Sequence, residues 1–224
     1  MKPPTRPGAL SPGFTLVELL VVIGILAVLT GILVPVVNRT RAKARQAACV
    51  SHLRQLGMAL QMYCQDYDER LPPWAVASAP TTGKVWGQIL LPYTADVRVY
   101  FCPSLGRPQG AGTVLEDSPF WGPTHNYLME LVYCSYGYNA MYLSSARLGS
   151  VASPTETIAI VDTTFSGYTD HGWGYFGAFP PSMGGHAMLA DRHDGGANVT
   201  FLDGHTKWHR KELLLADDSL WDLE

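Results

Sequence analysis

Charge is scarce in this chain: lysine, arginine, aspartate and glutamate supply 16% of its 224 residues, and the formal net charge is −3. That mildly acidic balance disfavours a phosphate-backbone partner, so no nucleic-acid partner is expected. Cysteine is rare, with four residues and no paired-cysteine motif. The sequence has no Gly-x-Ser-x-Gly nucleophile elbow, no phosphate-cradling glycine loop and no Glu-bearing zinc motif. Catalysis therefore has no footing in the motifs, and the expectation is a protein that is not an enzyme. Internal repeats and low-complexity tracts are also missing. Long apolar runs are absent except for one.

That run is Gly13 to Val37, GFTLVELLVVIGILAVLTGILVPVV, interrupted by a single carboxylate, Glu18. As a helix, Phe14 to Val37 rises about 36 Å, enough to cross a hydrocarbon core of about 30 Å. A carboxylate at mid-bilayer costs roughly 3 kcal/mol, so an acid near the start of such a stretch asks for a function. Ahead of it, Met1 to Gly13 is short and polar, with Lys2 and Arg6 and no acid. A secretory signal carries its small-residue cleavage site after the apolar core; here the small residue, Gly13, comes first. Cleavage after Gly13 would leave the apolar helix as a new N-terminus with a free amine on Phe14. That amine and Glu18 could neutralise each other between adjacent chains in a low-dielectric setting.

The string Gly13-Phe14-Thr15-Leu16-Val17-Glu18 resembles the processing site of type IV prepilins and of type II secretion pseudopilins. The resemblance implies that prepilin peptidase cuts after Gly13 and methylates Phe14, and that Glu18 docks on a neighbouring subunit's N-terminus. Pro35 matches a helix-bending proline of that family. The implied partners are identical or homologous pilin subunits in a helical filament, the peptidase and an assembly platform. The implied location is the cytoplasmic membrane for a single-pass precursor, leader inside and head outside, then an extracellular or periplasmic filament. Loss of Lys2 and Arg6 with the leader takes the formal charge from −3 to −5.

Gly24, Gly31 and Pro35 fit a membrane helix on physical grounds. Glycine and proline weaken a helix in water by about 1 and 3 kcal/mol, but neighbouring helices in a bilayer re-satisfy the freed backbone groups. Ala27 and Gly31 form a small-xxx-small pair that lets another helix approach. One feature opposes the implied orientation: Arg39, Arg41, Lys43 and Arg45 follow the run and outnumber Lys2 and Arg6. The positive-inside rule would then place the C-terminal side in the cytoplasm. The family arrangement is preferred, with the basic cluster meeting anionic headgroups or acidic patches of neighbouring subunits.

The expected organisation is a leader at 1–13, a transmembrane and filament-core helix at 14–37, an amphipathic continuation at 38–70, and a globular head at 71–224. Leu53, Leu56, Leu60, Tyr63 and Tyr67 recur at three- and four-residue steps as one apolar stripe, ended by Leu71-Pro72-Pro73. In the head, a short helix is expected over Val85–Pro92 and strands over Val97–Phe101, Thr157–Asp162, Ala197–Leu202 and Thr206–His209. Asp203-Gly204 between the last two predicts a type I′ hairpin turn with positive φ at both centres. Gly106–Pro123 and Ser166–Gly185 read as loops. The fold class is α+β: a long N-terminal helix packed on a small antiparallel sheet with long loops, as in type IV pilins.

An even cysteine count in an exported domain predicts disulfides. Cys49 and Cys64 lie about 22 Å apart along one helix, too far to bridge, which leaves two connectivities. Cys49 with Cys102 and Cys64 with Cys134 is the favoured one; free buried thiols are the alternative. His193 and Asp203-Gly204 resemble the H-x9-D-G segment, here 193–204, found at the C-terminus of many prepilin-like proteins. Its plainest reading is a turn in which Asp203 and His193 bond nearby backbone. No cofactor is required, although calcium held by Asp162, Asp191, Asp194 or Asp203 is a second possibility. A zinc or hydrolytic site ranks third. A single-pass membrane-anchored binding or metal-dependent hydrolytic domain, with the helix as a tether, is the competing function.

Overall fold

The structure is a computed structural model that describes residues 15–76, 84–94, 96–105, 134–164, 177–183 and 189–223. Helix α1, Leu16–Asp66, runs for 51 residues with Pro35 inside it. The chain divides into two compact units, 1–41 and 42–224. In the first, the apolar side chains of the helix, among them Leu20, Ile23, Leu26, Val28 and Leu33, are exposed. This segment is long and apolar enough to cross a membrane.

In the second unit the same helix buries Cys49, Leu53, Leu56, Ala59, Leu60, Tyr63 and Cys64. Each fully buried leucine contributes about 1.5–3 kcal/mol. The expected stripe is present, with one correction: Tyr67 is half exposed and stacks on Tyr63 with ring centroids 4.2 Å apart. The helix also stops before Arg70. Asp68 and Glu69 adopt φ of +51° and +57°, and the Glu69 N–H bonds the Cys64 carbonyl at 2.9 Å. That left-handed pair with a six-to-one bond terminates the helix before the prolines are reached.

After a two-stranded ribbon, β1 (Ala75–Val76) with β2 (Lys84–Val85), come helix α2 (Trp86–Leu90) and a 3-10 turn at Leu91–Tyr93. The strand expected at Val97–Phe101 is instead a 3-10 turn, Val97–Tyr100, because the Asp96 carboxylate accepts from the Arg98 N–H at 2.8 Å and caps it. The remaining strands are β3 (Tyr136–Asn139), β4 (Ile158–Asp162), β5 (Gly177–Ala178), β6 (Gly196–Phe201) and β7 (Thr206–Arg210). They form one sheet in the order β5-β3-β4-β6-β7. It is mixed rather than antiparallel, because β5 pairs parallel to β3.

Strands β3, β4 and β6 are buried on both faces, whereas β7 forms a partly exposed edge. Tyr136 and Tyr138 of β3 and Ile160 of β4 join the core under α1, with Trp86 and Tyr100. Ala197, Val199 and Phe201 of β6 pack on the opposite face with Leu214 and Trp221 of the C-terminal segment. A register shift between Ile158 and Ile160 resets the alternation of β4. Ile160 and Asp162 then share the helix-facing side. The β6–β7 connection holds a different turn from the one expected. The Gly204 N–H bonds the Phe201 carbonyl and the Phe201 N–H bonds the His205 carbonyl, both at 2.9 Å. Gly204 has φ +92°, whereas Asp203 is not among the positive-φ residues, so this is a three-residue loop with a glycine bulge.

Candidate functional site

Gly13 and Phe14, the expected processing residues, lie outside the described residues. Glu18 does not. Its Oε2 accepts from the Thr15 N–H at 2.8 Å and from Thr15 Oγ1 at 2.7 Å, while the Glu18 N–H donates to Thr15 Oγ1 at 3.3 Å. This is a reciprocal capping box that satisfies orphan donors at the start of α1. The Thr-x-x-Glu signature is present in the sequence and gives Glu18 a local structural task. Further along, Leu20, Val21, Gly24, Ile25, Val28 and Leu29 line an apolar notch that the missing side chain of Gly24 opens. The helix continues through Gly24, Gly31 and Pro35 without interruption.

The densest polar site lies in the head, where four segments bring together Cys49, Cys102, Asp162 and His193. One ligand-type atom from each falls within 4.8 Å of the others, and all four residues are buried. The helix stripe delivers Cys49. Cys102 follows the 3-10 turn, and the half-buried His52, one helical turn from Cys49, contacts the Phe101 carbonyl through Nδ1 at 3.0 Å. The β4 bulge aims Asp162 inward. A tight turn with Asp194 at φ +57° and Gly195 at φ +73° turns the His193 ring back into the head.

Within the cluster Cys49 Sγ lies 3.3 Å from Asp162 Oδ1, and Cys102 Sγ lies 3.4 Å from His193 Nε2. His193 Nε2 is also 3.4 Å from Asp162 Oδ2. The Tyr136 hydroxyl and the Asn198 side-chain amide both donate to Cys49 Sγ at 3.3 Å. Asp162 Oδ2 accepts from the Asn198 N–H at 2.8 Å and from its amide at 3.0 Å. Arg192 completes the surround, donating to Asp162 Oδ1 at 2.6 Å and to the carbonyls of Thr163 and Ser135 at 2.6 and 2.8 Å. Burial pushes the Cys49 thiol up; the hydrogen bond from Cys49, helped by His193 and Arg192, pulls Cys102 down to about 3. Burial likewise raises Asp162, against the pull of Arg192.

All four cysteines are free. The expected Cys49–Cys102 and Cys64–Cys134 bridges are therefore not formed. The Cys49 and Cys102 sulfurs are engaged by the polar cluster, and the Cys134 thiol donates to the Tyr136 carbonyl at 2.9 Å. Nor do the four aspartates converge as a calcium site. Asp162 is in the cluster, Asp191 is exposed, Asp194 pairs with Lys43, and Asp203 pairs with His205 at 2.6 Å. The H-x9-D-G ends act differently from each other. Asp203 Oδ1 accepts from the His205 N–H at 3.0 Å, a local turn as expected, whereas the His193 ring enters the cluster. Sequence reasoning missed the cluster because its members are separated by dozens of residues and match no spacing motif.

Residues 11–34 match the model of the prokaryotic N-terminal methylation motif, and residues 38–100 match a family described as protein of unknown function (DUF1559). No curated protein and no solved structure matches the chain. A carboxylate-bearing apolar helix that opens on a capping box, followed by an α+β head, accompanies both matches. The chain thus carries a prokaryotic N-terminal methylation motif joined to a segment of the DUF1559 family.

Proposed function

We propose that this protein is a non-enzymatic structural subunit of a type IV pilus-like or type II secretion pseudopilus filament. The precursor sits in the cytoplasmic membrane with its head outside. Prepilin peptidase cuts after Gly13 and methylates Phe14, and the Phe14 amine pairs with Glu18 of an adjacent subunit. The carrying observation is a lone carboxylate at the head of an exposed apolar helix, inside a methylation motif. The notch at Gly24 supports close approach of a second helix.

The capping box makes the choice of variant decisive. Glutamine serves at the third helical position of a capping box as glutamate does, but carries no charge. Glu18→Gln therefore keeps the helix start and removes the ion pair. The expected result is normal cleavage, a methylated Phe14 by mass spectrometry, and a severe loss of sheared filaments by electron microscopy. A normal filament yield from that variant refutes the pairing, and a mature protein that retains Met1 favours the tethered-domain reading.

A further inference from the structure

We propose that Cys49, Cys102, Asp162 and His193 form a closed, structural zinc site in the head. The inference is independent of the filament reading, since a tethered domain would hold the ion equally well. Three of the four residues also lie outside the matched segment 38–100.

Geometry comes first. Zinc bonds to sulfur, nitrogen and carboxylate oxygen are about 2.0–2.3 Å, and a tetrahedron's edge is about 1.6 times its centre-to-corner length, giving ligand–ligand separations of about 3.3–3.8 Å. With Asp162 Oδ2 as the oxygen ligand, the observed separations are 3.6 Å to Cys49 Sγ and 3.4 Å to His193 Nε2, and Cys102 Sγ lies 3.4 Å from that nitrogen. Three edges of a coordination shell are thus at zinc spacing, and all four ligand atoms lie within 4.8 Å of one another.

Donor chemistry selects the metal. Two thiolates, an imidazole and one carboxylate suit zinc and disfavour calcium and magnesium, which take oxygen ligands. Full burial leaves no open position for water, so the site is of the structural kind rather than the catalytic kind. The surround matches what metal ligands require. The Cys49 sulfur receives hydrogen bonds from Tyr136 and Asn198, and the Ser104 N–H reaches the Cys102 sulfur. Donors aimed at sulfur stabilise a thiolate and orient it.

Charge closes the argument. Zinc would displace both thiol protons, and its two positive charges with that of Arg192 would balance two thiolates and the Asp162 carboxylate.

The test uses the full-length chain purified in detergent under reducing conditions. Elemental analysis should give about one zinc per chain, falling below about a tenth in Cys102→Ser and His193→Ala. Cys64→Ser and Cys134→Ser, which alter cysteines outside the cluster, should retain the ion. Because ligand variants can fail to fold, wild-type protein stripped by a chelator is also titrated with Co2+. A thiolate-to-cobalt charge-transfer band saturating at about one equivalent, and abolished by added Zn2+, is expected. Wild-type protein without zinc and without that band overturns the site. So does a Cys49–Cys102 disulfide in peptide mass spectra of the native protein.

Discussion

Replacing Arg192 with methionine separates a satisfied buried charge from an abandoned one. Arg192 is 12% exposed and Asp162 is fully buried, so the pair is shielded from solvent. Methionine preserves much of the side-chain volume but leaves the carboxylate without its cation, and removal of one partner from a buried pair costs about 3–5 kcal/mol. The Thr163 and Ser135 carbonyls also lose a donor each, so the upper part of that range is expected. For a head of this size, about 2–4 °C per kcal/mol converts to a melting point lowered by roughly 6–20 °C. Thermal unfolding of the detergent-solubilised chain, followed by tryptophan fluorescence with EDTA present, measures the effect free of any bound ion. The sign of its pH dependence follows from burial, which raises Asp162, and from Arg192, which opposes that rise. Without the cation the folded-state value climbs further. A raised carboxyl contributes stability at low pH and loses it as pH rises through the folded value, so the deficit of Arg192→Met should narrow on acidification. The double variant with Asp162→Asn should cost less than the two single changes together. A melting point within about 2 °C of wild type at pH 7, or strict additivity, would refute the account.

Three further outcomes are expected. A Cβ at Gly57 would lie 2.8 Å from Thr200 Cγ2 and 3.5 Å from Gly204 Cα, so Gly57→Leu should destabilise the head by about 1–3 kcal/mol in urea titration. Burial, with Lys207 and His205, lowers His209 below its ordinary 6.5, and its Nε2 is buried without a partner. The unfolded chain then binds the proton more readily, so stability should fall as pH drops below about 6.5, and His209→Gln should flatten that slope in pH-dependent melting curves. Gly13→Leu should block processing, visible as a precursor band that does not shift on a gel.

How legible each feature was depended on the range of the interaction behind it. The apolar run, Glu18, the stripe through Leu53, Leu56 and Leu60, and the β6–β7 hairpin are encoded within a few residues, and periodicity or turn chemistry reads them directly. The 3-10 turn at Val97–Tyr100 was mistaken for a strand because alternation outweighed a local Asp96 cap. The parallel β5 pairing was invisible, since a two-residue strand has no periodicity. Residues after β7 also gave no sign that Leu214 and Trp221 would cover the second face of the sheet. The cluster at Cys49 was illegible for a stronger reason. It depends on a bulge in β4 and a left-handed turn before β6, and neither leaves a spacing that links cysteine, aspartate and histidine across more than a hundred residues.

The geometry gives the H-x9-D-G segment a physical role. Along α1, Lys43, Cys49, Gly57 and Gln61 meet in turn Asp194, Asn198, the Thr200–Gly204 pair and the Leu202 carbonyl. The segment from His193 to Gly204 therefore lies as one strip against the helix. Asn198 and Thr200 face the helix while Ala197, Val199 and Phe201 face the other core, which requires strict two-residue alternation between the ends. His193 anchors one end in the cluster beside Cys49. At the other end Gly57 leaves room for Thr200, and the turn takes glycine at 204 for its φ of +92°. A fixed count between histidine and Asp-Gly thus sets which residues of β6 face the helix. One extra residue would turn Asn198 and Thr200 away from the helix and Val199 toward it, breaking both cores at once.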